Sequence, residues 1–544
     1  MKKSLMIISA VFLSFATSGQ QFDWLVSSGF YAQCHSGACD SSGSVYFVGE
    51  FVKEIAFGDT ILYASGNKLE IFLVRYDSSG QFIWARSAGG SGDDFCFEVA
   101  NDHEGYIYIT GNFTGQAHFG NYTLTSTGEN DIYLAKYDSE GTCLWVDQAG
   151  GPDYFDNAIA LDIDPAGNIY LTGCFDNTAT FGDTTLSSGY PSSGDPNLEW
   201  GGDIFIAKYK TTGQLEFAKY LPGTEHANRG HAIVCCSDGS FYLSGKYEGT
   251  LEIDTCLLTS AGDYDIFLAR FNSSGQVMWV RSAGSESDDK PSPSGIYADD
   301  AGVFLTGYFQ DTASFSGHQL ISSGGWDHFL VNYDTLGNLK WATRDGGPGN
   351  DRGYSLSKSN DLLYLTGYFM NEVLFGGLTQ LTSAGGKDVF VSIYNDNGVF
   401  QWADSHGGQG EDWGFLVLHD IWHGCYLAGF HTNDAVFGDT VLQVNNLQNM
   451  YFGRFQDSSC AIYISNHQAA EAFSIFPNPA SATITIETPS TGSLFIFDAN
   501  GQQLFQQEIT ELKITVDVRG WKNGVYVVKI VGEKAVSVGK FIKQ

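Results

Sequence analysis

Short stretches in which bulky apolar side chains alternate with smaller or polar ones run from about residue 22 to residue 456. In "FCFEVAND" (95–102) the rings of Phe95 and Phe97 and the branched Val99 fall at every second position. A period of two puts these side chains on one face of a strand and predicts β structure. The stretches stop at "DSSG", "DSEG", "NSSG" and "DTLG", where Gly supplies the positive φ a tight hairpin needs.

The pattern itself repeats. The Gly of "IYLTGCF" (169–175) recurs at Gly49, Gly111, Gly173, Gly245, Gly307, Gly367 and Gly429, with successive gaps of 62, 62, 72, 62, 60 and 62. An aromatic-centred strand recurs as often, at Trp24, Trp84, Trp145, Phe217, Trp279, Trp341 and Trp402. A third marker runs from "IFLVRYD" (71–77) to "MYFGRFQ" (450–456). A fixed period of this size means a repeat architecture. Each unit reads as four antiparallel strands; in the second these are "FCFEVAND" (a), "YIYITGNF" (b), "IYLAKYD" (c) and "CLWVDQA" (d), with a longer connection between b and c.

Seven such sheets predict an all-β fold, a seven-bladed β-propeller over residues 21–460. The first strand, at Trp24, is of the d type, and the last unit ends on a c strand. The N-terminal strand is therefore expected to complete the seventh sheet and close the ring, which removes two open edges. "GNIYLTG" (167–173), "DIFLARF" (265–271) and "WARSAGGSGDD" (84–94) resemble the markers of bacterial secreted β-propeller repeats. That resemblance bears on architecture and leaves the ligand open.

After a polar linker (461–472), residues 473–544 have a different character. From Tyr463 onward seven acids balance seven bases, so the chain's formal charge of −34 sits on the repeats. Short alternating strands predict a small C-terminal β-sandwich. "FPNPA" (476–480), "FDANGQQL" (497–504), "NGVYVVKI" (523–530) and the basic ending resemble the type IX secretion sorting domain of Bacteroidetes. Pro477, Asn478, Pro479, Gly524, Tyr526, Lys540 and Lys543 are the matching motif positions. The resemblance implies that the outer-membrane secretion machinery is a partner. It also implies a protein released or anchored at the outer surface of the outer membrane.

Residues 1–20 read as a signal peptide: Lys2 and Lys3, an apolar run from Leu5 to Ala16, then small residues. No later run is apolar for long enough to be a transmembrane helix. With 62 acidic against 28 basic residues, non-specific binding of nucleic acid is excluded from the expectations. Ten Cys lie mostly inside strands and read as buried apolar residues; Cys34 with Cys39, and Cys425 with Cys460, are the pairs to test as bridges.

The d–a connections are rich in Gly and Asp. Asp93, Asp94, Asp156, Asp289, Asp351 and Asp412 recur near the repeat period. They read either as an acidic rim for Ca²⁺ or a basic partner, or as side chains that tie turns together. No metal site is otherwise assigned. The third unit carries a longer b–c connection in which Tyr190, Glu199 and Trp200 form a candidate loop for a glycan or protein ligand. No nucleophile elbow and no metal-binding histidine pair in a helix is present, so catalytic residues are not assigned. The expected role is binding or adhesion at the cell surface. The alternatives are a carbohydrate-active enzyme with channel-mouth carboxylates and a structural envelope protein.

Overall fold

The computed structural model describes residues 22–153, 155–188, 202–225, 228–420, 424–444 and 447–455 of the repeats, and 474–488, 492–497, 503–509, 512–532 and 536–543 of the tail. The expected signal peptide and linker, Cys460, and the loop residues Tyr190, Glu199 and Trp200 lie outside the described residues. Every regular element described is a β-strand. The chain divides into two compact units, residues 1–456 and 457–544.

In the first unit the strands pair in fours, as the pattern predicts. The first repeat runs Ala32–Cys39, Val45–Val52, Leu69–Tyr76 and Phe82–Gly90, each antiparallel to the next. The same order follows from each later first strand: Phe95–Asn101, Asn157–Ile163, Arg229–Cys235, Lys290–Asp299 and Arg352–Ser359. The last repeat supplies only Asp412–His419, Cys425–His431 and Asn449–Phe455. Its fourth strand is the N-terminal ribbon Phe22–Ser28, paired so that Ser27 faces Tyr451 and Trp24 faces Arg454.

Neighbouring repeats bury each other's faces. Phe47 of the first repeat stacks on Phe452 of the last at 4.3 Å, in one apolar cluster with Ile55, Leu416, Tyr426 and Trp24. A second cluster joins Tyr46 and Val48 to Ile109 and Tyr133 of the next repeat. A sheet of four strands cannot shield both faces alone, so these clusters are the cohesion of the unit.

Two repeated devices reinforce them. The d-strand Trp of one repeat covers the c–d turn of the next: Trp84 donates to the Ser139 carbonyl at 2.9 Å, and Trp279 to that of Thr335 at 3.0 Å. Beneath the Trp84 and Trp279 rings lies a Gly with positive φ; at Gly141 (φ 76°) a Cβ would come within 3.0 Å of the Trp84 ring. Trp24 holds the same place over Gly80 (φ 84°), where a Cβ would lie 2.4 Å from its Cγ.

The second device departs from the expected loop. Each b–c connection folds into a β-hairpin, such as Thr178–Phe181 with Thr184–Ser187. In the second and sixth repeats strands b and c simply run on, as Ile107–Phe119 and Tyr122–Tyr137 do. In the second, third, fifth and seventh repeats the hairpin pairs with the outer strand of the preceding repeat, for example Ala149 with Phe181 and Ala283 with Phe315, and in the fourth and sixth a single bridge does the same. It thereby hydrogen-bonds one sheet to the next.

In the tail, a three-stranded sheet and a four-stranded sheet enclose Ile484, Ile496, Val516, Val528 and Phe541. Asn478 accepts the Ile542 N–H at 2.9 Å, and Ala480 donates to the Ile542 carbonyl at 2.8 Å, so the "FPNPA" segment is clipped to the final strand. Tyr526 packs on Phe541 at 5.3 Å and donates to the Lys522 carbonyl at 2.6 Å. Gly524 opens that strand, Lys543 is buried in the last one, and Lys540 lies between them along the chain in Val536–Lys543.

Candidate functional site

The first strand of every repeat faces one cavity of about 360 Å³. Its wall takes residues from all these strands in turn, among them Ser36, Glu98, Asp162, Ile233, Ser294, Ser355 and Leu416. Side chains bond across from strand to strand. Ser36 donates to Glu98; Asp162 accepts the Cys235 N–H at 2.7 Å; His231 Nδ1 and the Pro291 carbonyl are 2.7 Å apart. Ser292 donates to the Gly353 carbonyl, and Ser355 Oγ accepts the Val417 N–H at 3.1 Å. Glu98 and Asp162 reach the cavity but are walled in by protein. Burial pushes Glu98 up to about 8 against the Ser36 hydrogen bond, with the charge of Asp162 adding to it. Burial likewise pushes Asp162 up to about 6, against the backbone N–H groups of Cys235 and Ile163.

At the end where these strands begin, the register skips a residue in each repeat. The skipped residues are His35, Phe97, Ile159, His231, Tyr354 and Phe415, with a longer irregularity between Pro291 and Ile296. A bulge of this kind re-aims one side chain. Four of these residues form a collar: His35 stacks on Phe415 at 5.2 Å and meets Phe97 at 5.8 Å, and Tyr354 meets Phe415 edge-on at 5.2 Å. All four are half-buried. His231 is held neutral, since burial and the nearby Arg229 and Lys246 push its pKa well below the usual range.

Beside the collar, across the fourth to seventh repeats, cations alternate with aromatic rings. Arg229 pairs in register with Lys246. Lys246 and Lys290 sit over Tyr264 at 3.9 and 4.6 Å. The Arg352 guanidinium lies 3.8 Å from the centre of Trp326 and 4.2 Å from that of Tyr308. Lys387 lies over Trp413 at 4.4 Å and over Tyr368 at 5.0 Å. Such contacts hold a cation partly out of water.

The recurring aspartates sit at the starts of the first strands. Asp94, Asp156, Asp289, Asp351 and Asp412 are each 0% exposed, while Asp93 stays at the surface and pairs with Lys68 at 2.7 Å. Each buried carboxylate accepts a backbone N–H from its own d–a turn: Gly90, Gly151, Ser285, Gly347 and Gly408. Asp94, Asp156, Asp289 and Asp351 also accept one from beyond strand b. Burial pushes Asp94, Asp289, Asp351 and Asp412 up to about 7, against those N–H groups. Among the described residues no group of three or more His, Cys, Asp or Glu is placed to hold a metal ion. Each bracket fixes the start of a first strand, and the residue after it is Phe95, Asn157, Lys290, Arg352 or Trp413. In the fourth repeat Asn228 does this for Arg229, accepting the Glu248 N–H at 3.0 Å.

Cys34 and Cys39 are free thiols, and the Cys425–Cys460 pairing falls outside the described residues. Sequence reasoning singled out these aspartates, left them open between a cation rim and turn ties, and missed the residues that follow them. The signal was the residue after each repeated Asp, which differs from copy to copy.

Residues 474–544 match the family described as Secretion system C-terminal sorting domain, Por_Secre_tail. The tail is a type IX sorting domain, which marks the chain for secretion and attachment at the outer membrane surface. Over 414 residues the chain is 24% identical to an uncharacterized WD repeat-containing protein of Acanthamoeba polyphaga mimivirus (61% of this chain, 29% of the relative). Over 285 residues it is 25% identical to regulatory protein FlaEY of Caulobacter vibrioides (51% and 28%). The chain thus spans less than a third of the length of either relative. A member of the DUF4221 family from Bacteroides vulgatus is similar at 10% identity and TM-score 0.31, over 80% of this chain and 95% of its own.

Proposed function

We propose that this exported chain is a binding module: a closed seven-bladed β-propeller that holds its ligand at the collared mouth of the central channel. Three features support the ring. The N-terminal ribbon pairs with the last repeat, Trp24 covers Gly80 as Trp84 covers Gly141, and the last and first repeats share an apolar cluster. The observation that carries the binding role is the collar. Half-buried rings from several repeats converge on one opening, and aromatic rings with an apolar body are the usual anchors of a recognition surface.

The test is a glycan panel presented to the full chain and to its Tyr354→Ala and Phe415→Ala variants. Binding that drops about tenfold or more in the variants, with melting nearly unchanged, supports the mouth as the site. Binding that survives both substitutions removes it. The second reading, a carbohydrate-active enzyme, draws on Glu98 and Asp162 in the channel. Glu98, pushed up to about 8, is a group that could donate a proton at neutral pH. Glycan cleavage by the wild type that is abolished by Glu98→Gln would favour it.

A further inference from the structure

The arc beside the collar has a chemistry of its own. It gathers five of the chain's 28 Lys and Arg residues at one place in a chain of formal charge −34. Lys246 is 3% exposed and Lys290 8%. Burying a cation costs free energy unless something replaces its water. Carboxylates cover part of that need: Lys290 has Asp288 at 3.5 Å, Lys387 has Glu411 at 2.7 Å, and Glu248 lies near Lys246. For the two arginines the need is left partly open. Nε of Arg229 and Nε of Arg352 are buried without a hydrogen-bond partner, as is Nε2 of His231, while the Arg352 guanidinium donates elsewhere to the Tyr354 hydroxyl. Cations ordered in a row beside stacked rings suit an acceptor that reaches them from outside the chain.

We propose that this arc binds an anionic saccharide, with carboxylate or sulfate groups on the Arg229–Lys246–Lys290–Arg352–Lys387 line and sugar rings against Trp326, Tyr354 and Trp413. A guanidinium matches the fork of a carboxylate or sulfate, and half-buried ring faces suit the apolar face of a pyranose. An acidic peptide would meet the charges and leave the exposed parts of these rings uncovered. The repeat geometry favours a polymer, because the cations and rings of the fourth to seventh repeats follow one another at the same end of their strands. This inference rests on the channel-mouth reading above and names its ligand class.

The test measures binding of polygalacturonate, dextran sulfate, neutral dextran and poly-glutamate to the full chain at low and physiological salt. The variants are Arg352→Gln and, at a half-exposed site, Lys387→Gln; Lys219→Gln serves as the control, and melting is recorded for each. The expected result is that one of the charged polysaccharides binds and that neutral dextran and poly-glutamate bind at least about tenfold more weakly. Each arc variant should weaken binding about tenfold, the value of one charged hydrogen bond, with the control unchanged. Polygalacturonate against dextran sulfate separates carboxylate from sulfate recognition. Equal binding of poly-glutamate overturns the proposal, as does binding indifferent to both arc variants. A neutral glycan that binds wild type and Arg352→Gln alike, yet is lost in Tyr354→Ala, overturns this inference and leaves the channel-mouth reading standing.

Discussion

Replacing Trp24 by Ala separates a closed ring from an open row of sheets. In a closed ring Trp24 is equivalent to Trp145, which sits between the second and third repeats. Trp24 stacks on Tyr76 at 5.6 Å and 16°, and leans on Tyr426 and Phe452 at 6.0 and 6.3 Å. Trp145 meets Tyr108 at 6.2 Å and donates to the Thr211 carbonyl at 3.3 Å. Both indoles are half-buried, so each removes on the order of 100 Å² of apolar surface from water, about 2.5 kcal/mol. The cavity left over the turn Gly adds about 0.5–1 kcal/mol. Trp24→Ala and Trp145→Ala should therefore each cost about 3 kcal/mol, Trp145 slightly more through its hydrogen bond. The assay is guanidinium unfolding of the full chain followed by near-ultraviolet circular dichroism. If Trp145→Ala loses that much and Trp24→Ala changes by less than about 0.5 kcal/mol, the ribbon is a fraying end and ring closure is refuted.

Three further outcomes follow from the brackets and the tail. Asp351→Asn should cost about 1–3 kcal/mol, because one of the Gly347 and Met370 N–H groups then faces an amide donor, and Asp351→Ala should cost more; urea midpoints of the two variants check the order. Asp94, Asp289, Asp351 and Asp412 are pushed up to about 7, and Asp265, Asp327 and Asp388 to about 6, all by burial. The folded state then binds more protons than the unfolded one between about pH 4 and 7, so stability falls as pH rises through that window. The melting temperature should be higher at pH 5.5 than at pH 8, and the opposite order refutes these directions. Deleting residues 474–544 should keep the chain from the cell surface and the medium, as fractionation would show; normal export without the tail would refute its role.

The strands were legible because their pattern is local and repeated: alternation marks each strand, and a Gly or Trp returns at a fixed interval. The connections were less so. "FGDTTL" (181–186) reads as a turn-rich link, and its hairpin exists because the neighbouring repeat offers Ala149 and Gly150 as pairing partners. Spacing alone also left the aspartates open between rim and bracket, since it carries no information on burial. The arc was hidden for the opposite reason. Lys246 stands where other copies carry Glu50, Asn112 or Cys174, and Arg352 where they carry Phe95 or Trp413. A residue that changes from copy to copy in this way looks like drift until the fold sets the copies side by side.

The clasp between the two ends of the repeat region has a consequence for how the molecule is made. Residues 22–28 have no strand to join until residues 449–455 exist, so the earliest-made ribbon waits for nearly the whole region. Joining ends some 430 residues apart carries a chain-entropy cost of roughly 5 kcal/mol. Until then the first and last sheets each show an unshielded edge and an apolar flank, at Phe47 and Phe452. A chain halted before residue 449 would keep both sticky margins, and a translocating protein of this design gains by finishing its journey quickly or under escort.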